Sequence, residues 1–274
     1  MNRQVYYRTI QSYKNKKELS KKVIDLVNTI RISMPRIGTR KLFYLLKPQL
    51  KILRVGRDKL FKILKANNLL ILPKKKYHIT TDSHHRFRKH KNQINNIEFI
   101  RPEQVWVSDI TYVGNRETPC YLALITDAYS KKIMGYNVSN SLNVQGSLKA
   151  LDMAISERTY KKEPIIHHSD RGLQYCSNEY QKILNINNIR PSMTEKYDPY
   201  ENAIAERING ILKQEFAINK YNTSIEIKTQ LIKNAINIYN QKRPHLSNSM
   251  LTPNQMHQQN KLKRKSYKKQ KVAI

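Results

Sequence analysis

The chain has 274 residues, which is enough for one α/β core with one or two smaller appendages. Its 51 Lys and Arg outweigh 20 Asp and Glu to give a formal charge of +31, which points to a polyanionic partner such as nucleic acid. Two isolated cysteines exclude a disulfide framework and a CxxC zinc site, and no run approaches the roughly 18 apolar residues that a membrane span requires.

The charge is unevenly distributed along the chain. Residues 1–100 hold 25 Lys and Arg against 5 Asp and Glu, residues 101–260 hold 19 against 15, and residues 261–274 hold 7 against none. An AT-rich genome would enrich lysine everywhere, so it does not explain the nearly neutral middle. Because Lys and Arg neutralise phosphates, we expect DNA at the basic flanks. The N-terminus lacks a signal-peptide pattern, so we expect a cytoplasmic, nucleoid-associated protein with no membrane partner.

Residues 1–72 predict a small helical domain. Apolar residues recur at helical spacing over about 17–32, Thr39 offers an N-cap for a second helix over 40–46, and a third helix is predicted over 57–66, closed by two asparagines. Three short helices with a basic third one resemble a helix-turn-helix. The alternative is a basic face that is merely solvated. The candidate DNA contacts of the third helix are Arg57, Lys62 and Lys65.

Residues 73–98 predict a basic linker, because they are dense in charge and lack periodicity. Such a segment is suited to following a phosphate backbone. His84 and His85 have no second cluster with which to form a metal site, so we interpret them as linker residues. Residues 259–274 form a Lys-rich tail.

Residues 99–258 predict an α/β catalytic core. Three strand-like runs come first, followed by a helix, a strand, a helix, a strand and two further helices. This is the order of an RNase H-like fold, in which helices cover both faces of a mixed five-stranded sheet. The predicted strands are 104–113, 120–127, 131–139, 164–168 and 189–193, and the predicted helices are 143–158, 177–186, 199–217 and 224–241.

Three acidic residues stand where this fold would bring them together. Asp109 lies in the first strand, Asp170 follows the fourth, and Glu206 lies in the helix over 199–217. The first and fourth strands are central neighbours in such a sheet, and the helix would deliver the longer glutamate. Phosphodiester chemistry by two divalent cations about 3.5–4 Å apart requires ionised carboxylate ligands. We therefore predict that these three residues are both the catalytic residues and the metal ligands.

The helix that carries Glu206 has a polar stripe. Asn202, Glu206, Asn209 and Lys213 follow the spacing i, i+4, i+7 and i+11, which places them on one helical face. Lys213 lies two turns beyond Glu206, where we predict that it holds a phosphate. The competing interpretation of Glu206 is a solvated helix acid, and the paired aspartates favour catalysis.

Other polar residues have structural interpretations beside functional ones. Asp127 is either a rival metal ligand or a turn acid at the end of a strand. His167 and His168 are expected to be satisfied structural histidines at a strand end. Glu201 and Glu215 are expected to be surface acids of their helix.

At these residues the chain resembles the DDE transposases of bacterial insertion sequences, in the second-reading-frame (OrfB) branch of the retroviral-integrase superfamily. The resemblance covers about 95–256 and extends to the helical region before it. Asp170 and Glu206 are separated by 35 residues, the separation that this branch keeps. The blocks that carry the resemblance are Val-Trp-Val-Ser-Asp109-Ile-Thr-Tyr, Ile-His-His-Ser-Asp170-Arg-Gly-Leu-Gln-Tyr, Tyr-Glu-Asn-Ala-Ile-Ala-Glu206-Arg and the closing block from Tyr239 to Pro253.

The resemblance implies catalysis that depends on Mg²⁺, with two ions per site and Mn²⁺ as a substitute. Asp109, Asp170 and Glu206 match the family's catalytic triad, and Lys213 matches a basic residue that contacts transposon-end DNA. Water would free a 3′-OH at the element's end, and that 3′-OH would then attack another phosphodiester. Asn202 and Arg171, within the matching blocks, are further candidate DNA contacts.

The implied partners are DNA, as transposon ends and target, and further copies of the chain assembled on that DNA. An upstream-frame (OrfA-type) protein is a further expected partner, fused or separate, because this chain has no heptad run long enough for a leucine zipper. Glu201 and Arg207 depart from the family pattern beside Glu206. Two alternatives stay open: a nuclease of the same fold that does not join DNA, and a DNA-binding protein that has lost catalysis.

Overall fold

The computed structural model describes residues 2–72, 90–95, 97–114, 119–195, 202–221 and 223–260. The predicted linker histidines His84 and His85, the rest of 73–89, and the tail from residue 261 lie outside these ranges. Internal contacts divide the chain into two compact units, Met1–Lys75 and Lys76–Ile274. None of the helices in the described ranges is long and apolar enough to cross a membrane.

The first unit is helical. Its helices are α1 (Arg3–Ser33), α2 (Thr39–Leu45), α3 (Lys47–Ile52) and α4 (Arg57–Ala66). Helix α1 begins well before the predicted start at Lys17, and Asn2 caps it by accepting a hydrogen bond from the Gln4 amide. Apolar periodicity missed this extension because the residues from Arg3 to Glu18 are almost all exposed. Only the later turns bury a face, through Val23 and Val27.

The remaining helices of this unit correct two details of the prediction. Thr39 is the first residue of α2 and is buried, and Gly38 occupies the N-cap position without a side-chain hydrogen bond. Helix α3, with a proline in its first turn, was not predicted. Helix α4 has the predicted bounds, and Asn68 after it adopts a positive φ of 55°, a conformation that asparagine tolerates.

The second unit is built on one mixed sheet of five strands, as predicted. The strands are β1 (Val105–Tyr112), β2 (Tyr121–Asp127), β3 (Ile133–Ser139), β4 (Ile165–Ser169) and β5 (Ile189–Met193). Their order across the sheet is β3-β2-β1-β4-β5. The three strands of the meander are antiparallel, whereas β4 pairs in parallel with both β1 and β5. Strand β1 therefore lies at the centre.

Helices cover both faces of this sheet. Trp106 of β1 packs with apolar residues of the helices on one face, while Val105 and Val107 pack with Ala205 on the other. The alternation follows from the two-residue period of a strand. The helices of the unit are α5 (Val144–Ser156), α6 (Leu173–Cys176), α7 (Asn178–Ile186), α8 (Ala203–Glu215), α9 (Ile225–Lys242) and α10 (Pro253–His257), with a 3-10 turn at Leu246–Asn248.

The end of the predicted linker packs with this unit. The Gln93 amide donates to Ser192 Oγ at 2.9 Å, and the Gln93 side chain donates to the Pro191 carbonyl at 2.9 Å, so this segment runs along β5. Ile94 and Phe99 pack against the cluster that contains Val105. The end of the predicted linker is thus held against the sheet of the second unit, although its charge density suggested an extended connector.

Gly135 allows β3 and α5 to approach each other. A Cβ at this position would collide with the Ala150 carbonyl oxygen and lie 2.8 Å from the Ala154 nitrogen, both of which are backbone atoms.

We expect Gly135→Ala to lower the free energy of unfolding by about 1–3 kcal/mol or more, because backbone cannot move aside locally. The matched control is Gly210→Ala in α8, where a Cβ meets nothing within 4 Å. Helix propensity predicts that the control raises the free energy of unfolding by about 0.5–1 kcal/mol. Urea titration of both variants and the wild type measures the two changes.

Candidate active site

Asp109 lies in β1, on the face of the sheet that α8 covers. It follows Val105 and Val107 in the two-residue alternation, and both of these pack with Ala205 of α8. Asp170 comes directly after β4, the parallel neighbour of β1. Carboxyl ends of parallel strands meet at one edge of a sheet, so the pairing brings the two aspartates to the same region.

Asp109 interacts electrostatically with both of the other predicted acids. Burial, the largest cause, and the negative charges of Asp170 and Glu206 raise the pKa of Asp109 to about 7, although a hydrogen bond from Asn209 opposes the shift. Asp109 is partly exposed, and partial desolvation also raises the pKa of Glu206, although that residue is largely exposed. The Gly172 amide donates to Asp170 Oδ1 at 3.0 Å and thereby orients that carboxylate.

The three acids do not form a complete metal-binding site as they stand. Among the described residues, no group of three or more His, Cys, Asp or Glu side chains is placed so that it could hold a metal ion as it stands. Glu206 lies in the first turn of α8, and its side chain is exposed. The donor set is nonetheless the type that a hard divalent cation prefers, since it consists of carboxylate oxygens.

The polar stripe of α8 faces β1, as its spacing predicts. Asn202 is buried and donates from Nδ2 to the Ser108 carbonyl at 3.0 Å, and Asn209 donates from Nδ2 to Asp109 Oδ2 at 2.7 Å. Lys213 is half-buried; burial lowers its pKa, and the charge of Asp109 opposes that shift. Asn209 was not among the predicted site residues, and its place on the stripe was the available signal.

His167 and His168 are structural, as expected. His167 Nε2 shares hydrogen bonds with Ser108 Oγ at 2.6 Å and the Tyr180 hydroxyl at 2.9 Å, and burial lowers its pKa to about 3, so the ring is neutral. His168 Nδ1 bonds to Ser192 Oγ at 2.9 Å and ties β4 to β5. These contacts hold Ser108, which precedes Asp109, and the end of β4, which precedes Asp170.

Tyr175 is a second residue that the sequence analysis left out of the site. Its ring is buried, and its hydroxyl has no hydrogen-bond partner among the described residues. Burial, followed by the neighbouring Tyr180 and the charges of Asp109 and Asp170, raises its pKa well above the ordinary value. The hydroxyl thus stays protonated near both aspartates. Tyr175 ends the block around Asp170, which was the available signal.

Asp127 is a turn acid and not a metal ligand. It is fully buried, and its Oδ1 accepts from the Ser130 amide at 2.6 Å and the Ser130 hydroxyl at 2.7 Å. The Glu103 amide donates to its Oδ2 at 2.7 Å. Burial alone raises the pKa of Asp127, but the contacts with His257 and Ser130 outweigh it and lower that pKa.

Glu215 corrects the expectation of a surface acid. Its two carboxylate oxygens accept from Nε and Nη2 of Arg243 at 2.8 and 2.7 Å, and Arg243 is almost fully buried. This bidentate pair joins the end of α8 to the end of α9. Glu201 lies outside the described residues.

The basic candidates occupy different environments. Arg57, Lys62 and Lys65 are exposed on α4, where Arg57 Nε also donates to Asp58 Oδ1 at 2.8 Å. Arg171, in the second unit, is half-buried and donates from Nε to the Thr194 carbonyl at 2.6 Å. Contacts of these residues, and of Asn202 and Lys213, with DNA stay predictions.

Known proteins resemble this chain over the same regions. Residues 100–199 and 187–253 each match a family described as integrase core domain. The insertion element IS600 uncharacterized 31 kDa protein of Shigella sonnei is 31% identical over 259 residues, covering 92% of this chain and 93% of that protein. The transposase InsF for insertion sequence IS3fB of Escherichia coli (strain K12) is 38% identical over 162 residues, covering 58% of this chain and 55% of that protein.

A solved structure supports the fold assignment. The cryo-EM structure of the simian T-cell lymphotropic virus intasome in complex with PP2A regulatory subunit B56 gamma contains a chain that matches with a TM-score of 0.51 and 19% identity. The match covers 82% of this chain and 76% of that one. At this identity the likeness is one of fold, and it confirms the predicted α/β core with a mixed five-stranded sheet and flanking helices.

His257 provides a pH test of the buried network around Asp127. Its Nε2 lies 3.3 Å from Glu103 Oε1 and its Nδ1 lies 3.8 Å from Asp127 Oδ1. Burial lowers its pKa, but both carboxylates raise it, and the net shift is upward from 6.5. The stabilisation is therefore complete below about pH 6.5 and is lost as the pH rises through the raised folded-state value.

We expect His257→Gln to lower the free energy of unfolding by about 1–3 kcal/mol at pH 6. Between pH 6 and 9 the variant should lose less stability than the wild type, because it lacks the ring whose charge is lost over this range. Urea denaturation at a series of pH values measures this. Asp109 titrates in the same range in both proteins, so the difference between them isolates His257. An identical pH dependence for the two proteins would contradict the charged state assigned to this ring.

Proposed function

The chain belongs to the insertion-sequence transposases that share the integrase core domain, and from this premise we propose that it cleaves DNA strands at the ends of an insertion element and joins the freed 3′-OH to target DNA. The observation that carries the proposal is the parallel pairing of β1 with β4, which brings Asp170 to the region of Asp109, where the negative charges of Asp170 and of Glu206 in α8 both act on Asp109. Asn209 and the Gly172 amide donate hydrogen bonds to two of these carboxylates without adding charge, and carboxylate oxygens are the ligands that hard divalent cations prefer.

In the proposal, Asp109, Asp170 and Glu206 hold the divalent cations, two Mg²⁺ per site, with Mn²⁺ as a substitute. Carboxylate oxygens and a local excess of negative charge fit such ions. Bound there, the ions would neutralise charge on the phosphate and activate the attacking oxygen. Their binding would also relieve the repulsion that raises the pKa of Asp109, since a cation favours the ionised carboxylate.

The protein's own residues would orient the reacting groups. The Gly172 amide orients Asp170, and the His167 contacts hold Ser108 beside Asp109. Lys213, whose charge Asp109 feels, would bind a phosphate oxygen of the DNA. In the first step a water oxygen bonds to phosphorus and the 3′ oxygen leaves as a hydroxyl. In the second step that 3′-OH displaces an oxygen from a phosphodiester of the target, so one P–O bond replaces another.

DNA and further copies of the chain are the proposed partners. Exposed Arg57, Lys62 and Lys65 on α4 offer a basic surface for backbone phosphates. Arg171, next to Asp170, and Asn202, at the start of α8, are proposed as DNA contacts within the second unit. An upstream-frame protein is a proposed partner for recognition of the element's ends.

Replacing the acids without changing their shape tests the mechanism. We expect Asp109→Asn and Glu206→Gln each to reduce cleavage and joining by about 10³-fold or more, because both steps depend on the same carboxylates. Non-specific DNA binding should be unchanged. The assay uses element-end oligonucleotides with Mg²⁺ or Mn²⁺, and Asp152→Asn, an exposed acid of α5 on the opposite face of the sheet, is the control.

The same assay separates the alternatives. Cleaved products without joined products would favour a nuclease of this fold, and binding without either would favour a non-enzymatic DNA-binding protein. Activity close to wild type in Asp109→Asn or Glu206→Gln would remove that residue from the mechanism.

The α4 surface is tested through the salt dependence of binding. We expect Lys62→Ala combined with Lys65→Ala to weaken DNA binding uniformly across sequences and to reduce the slope of log K against log salt by about 1.8, since each phosphate contact contributes about 0.9. The control combines Lys149→Ala with Lys182→Ala, two exposed lysines of α5 and α7. Equal slopes for the two double variants would show that charge alone, and not the α4 surface, determines binding.

A further inference from the structure

Asn209 is an unusual residue for its position. It is 4% exposed, and the other residues that α8 buries are Ala205, Ile208, Ile211 and Leu212, all of which are apolar. Asparagine is a poorer helix former than leucine, because its side chain competes with the backbone for hydrogen bonds. Neither helix propensity nor packing therefore favours an amide at this position.

The hydrogen bonds of Asn209 are also incomplete. Its Nδ2 donates to Asp109 Oδ2 at 2.7 Å, while its Oδ1 is buried and has no partner among the described residues. A buried acceptor without a partner is costly to the fold. The side chain thus makes one short bond, and that bond is to a carboxylate of the candidate site.

The chemistry of an amide suits this position. The negative charges of Asp170 and Glu206 already act on Asp109. A lysine here would compensate those charges and compete with a divalent cation for the carboxylates. An amide donates a hydrogen bond without adding charge, so it orients one oxygen of Asp109 and leaves the negative charge of the acids available.

We propose that Asn209 is a positioning residue, which holds the Asp109 carboxylate in the orientation that binds the divalent cation. This inference rests on the proposed function, because it presumes that the three acids bind metal. Partners that orient metal ligands typically change metal affinity or activity by about 10- to 100-fold when they are removed. A change of this size is expected for Asn209.

The test is Mn²⁺ binding to the full chain, followed by the loss of the free-ion signal in electron paramagnetic resonance. Asn209→Leu removes the donor at similar volume, and Asn209→Ala removes it with less bulk. We expect both to weaken Mn²⁺ binding by about 10- to 100-fold. Asn209→Leu should keep or raise the melting temperature, since it completes an apolar face. The control is Asn240→Leu in α9, which removes a half-buried amide that bonds to Ile133 instead.

A second readout distinguishes positioning from direct ligation. In Asn209→Leu, strand cleavage should require about 10-fold more Mn²⁺ and recover at high concentration, whereas Asp109→Asn should not recover. A purely structural role would instead lower the melting temperature and leave the Mn²⁺ affinity of the folded protein unchanged.

The outcomes separate this inference from the proposed function. If the wild type takes up no Mn²⁺, or Asp109→Asn takes it up equally well, the metal site is wrong and the role of Asn209 falls with it. If Asp109→Asn loses binding while Asn209→Leu binds within twofold of wild type, only the role of Asn209 is overturned.

Discussion

Parallel hydrogen bonding between β1 and β4 is the interaction on which the site depends. Val105, Trp106 and Val107 pair with Ile166, His167 and His168, so the chain leaves both strands in the same direction. Asp109 and the residue after β4, Asp170, are 61 positions apart in sequence and become neighbours only through this register. A shift of one residue would turn Asp109 towards the Trp106 side of the sheet and away from α8.

Two aspartates on adjacent strands have opposite pKa shifts because their neighbours differ, and this difference separates a structural residue from a proposed catalytic one. Asp127 of β2 is surrounded by donors, namely the Ser130 and Glu103 amides and the ring of His257, and its pKa is lowered. Asp109 of β1 has other acids beside it, and its pKa is raised to about 7. A carboxylate that the fold satisfies contributes to stability. A carboxylate whose pKa is raised by neighbouring acids is suited to binding a cation.

Packing and hydrogen bonds support the site from three sides. The Trp106 cluster fills one face of the sheet, the His167 bonds hold Ser108, and the Glu215–Arg243 pair anchors the end of α8. Helix α8 is tied to β1 at its start by Asn202 and further along by Asn209. The residues that would meet the cations are thus carried by well-supported elements, while the exposed Glu206 side chain keeps freedom to move.

Much of this was predictable from sequence, and the exceptions have physical causes. The five strands and α4 followed from clear periodicity, and the α8 stripe followed from its spacing. The start of α1 was missed because an exposed helix has no apolar period, and Glu215 was misassigned because its partner, Arg243, is 28 residues away. Asn209 was placed on the stripe but not in the site, and Tyr175 was left out of the site, because a neutral side chain carries no charge pattern. The role of Asn209 appears only when α8 is seen against β1, and that of Tyr175 only when α6 is seen with Asp109 and Asp170.

The most direct test of the account is anomalous diffraction from crystals of the protein soaked in Mn²⁺. The account predicts anomalous density between the carboxylates of Asp109 and Asp170, with Glu206 drawn in from α8 as a further ligand. Anomalous density elsewhere, or three carboxylates that remain apart at saturating Mn²⁺, would contradict it.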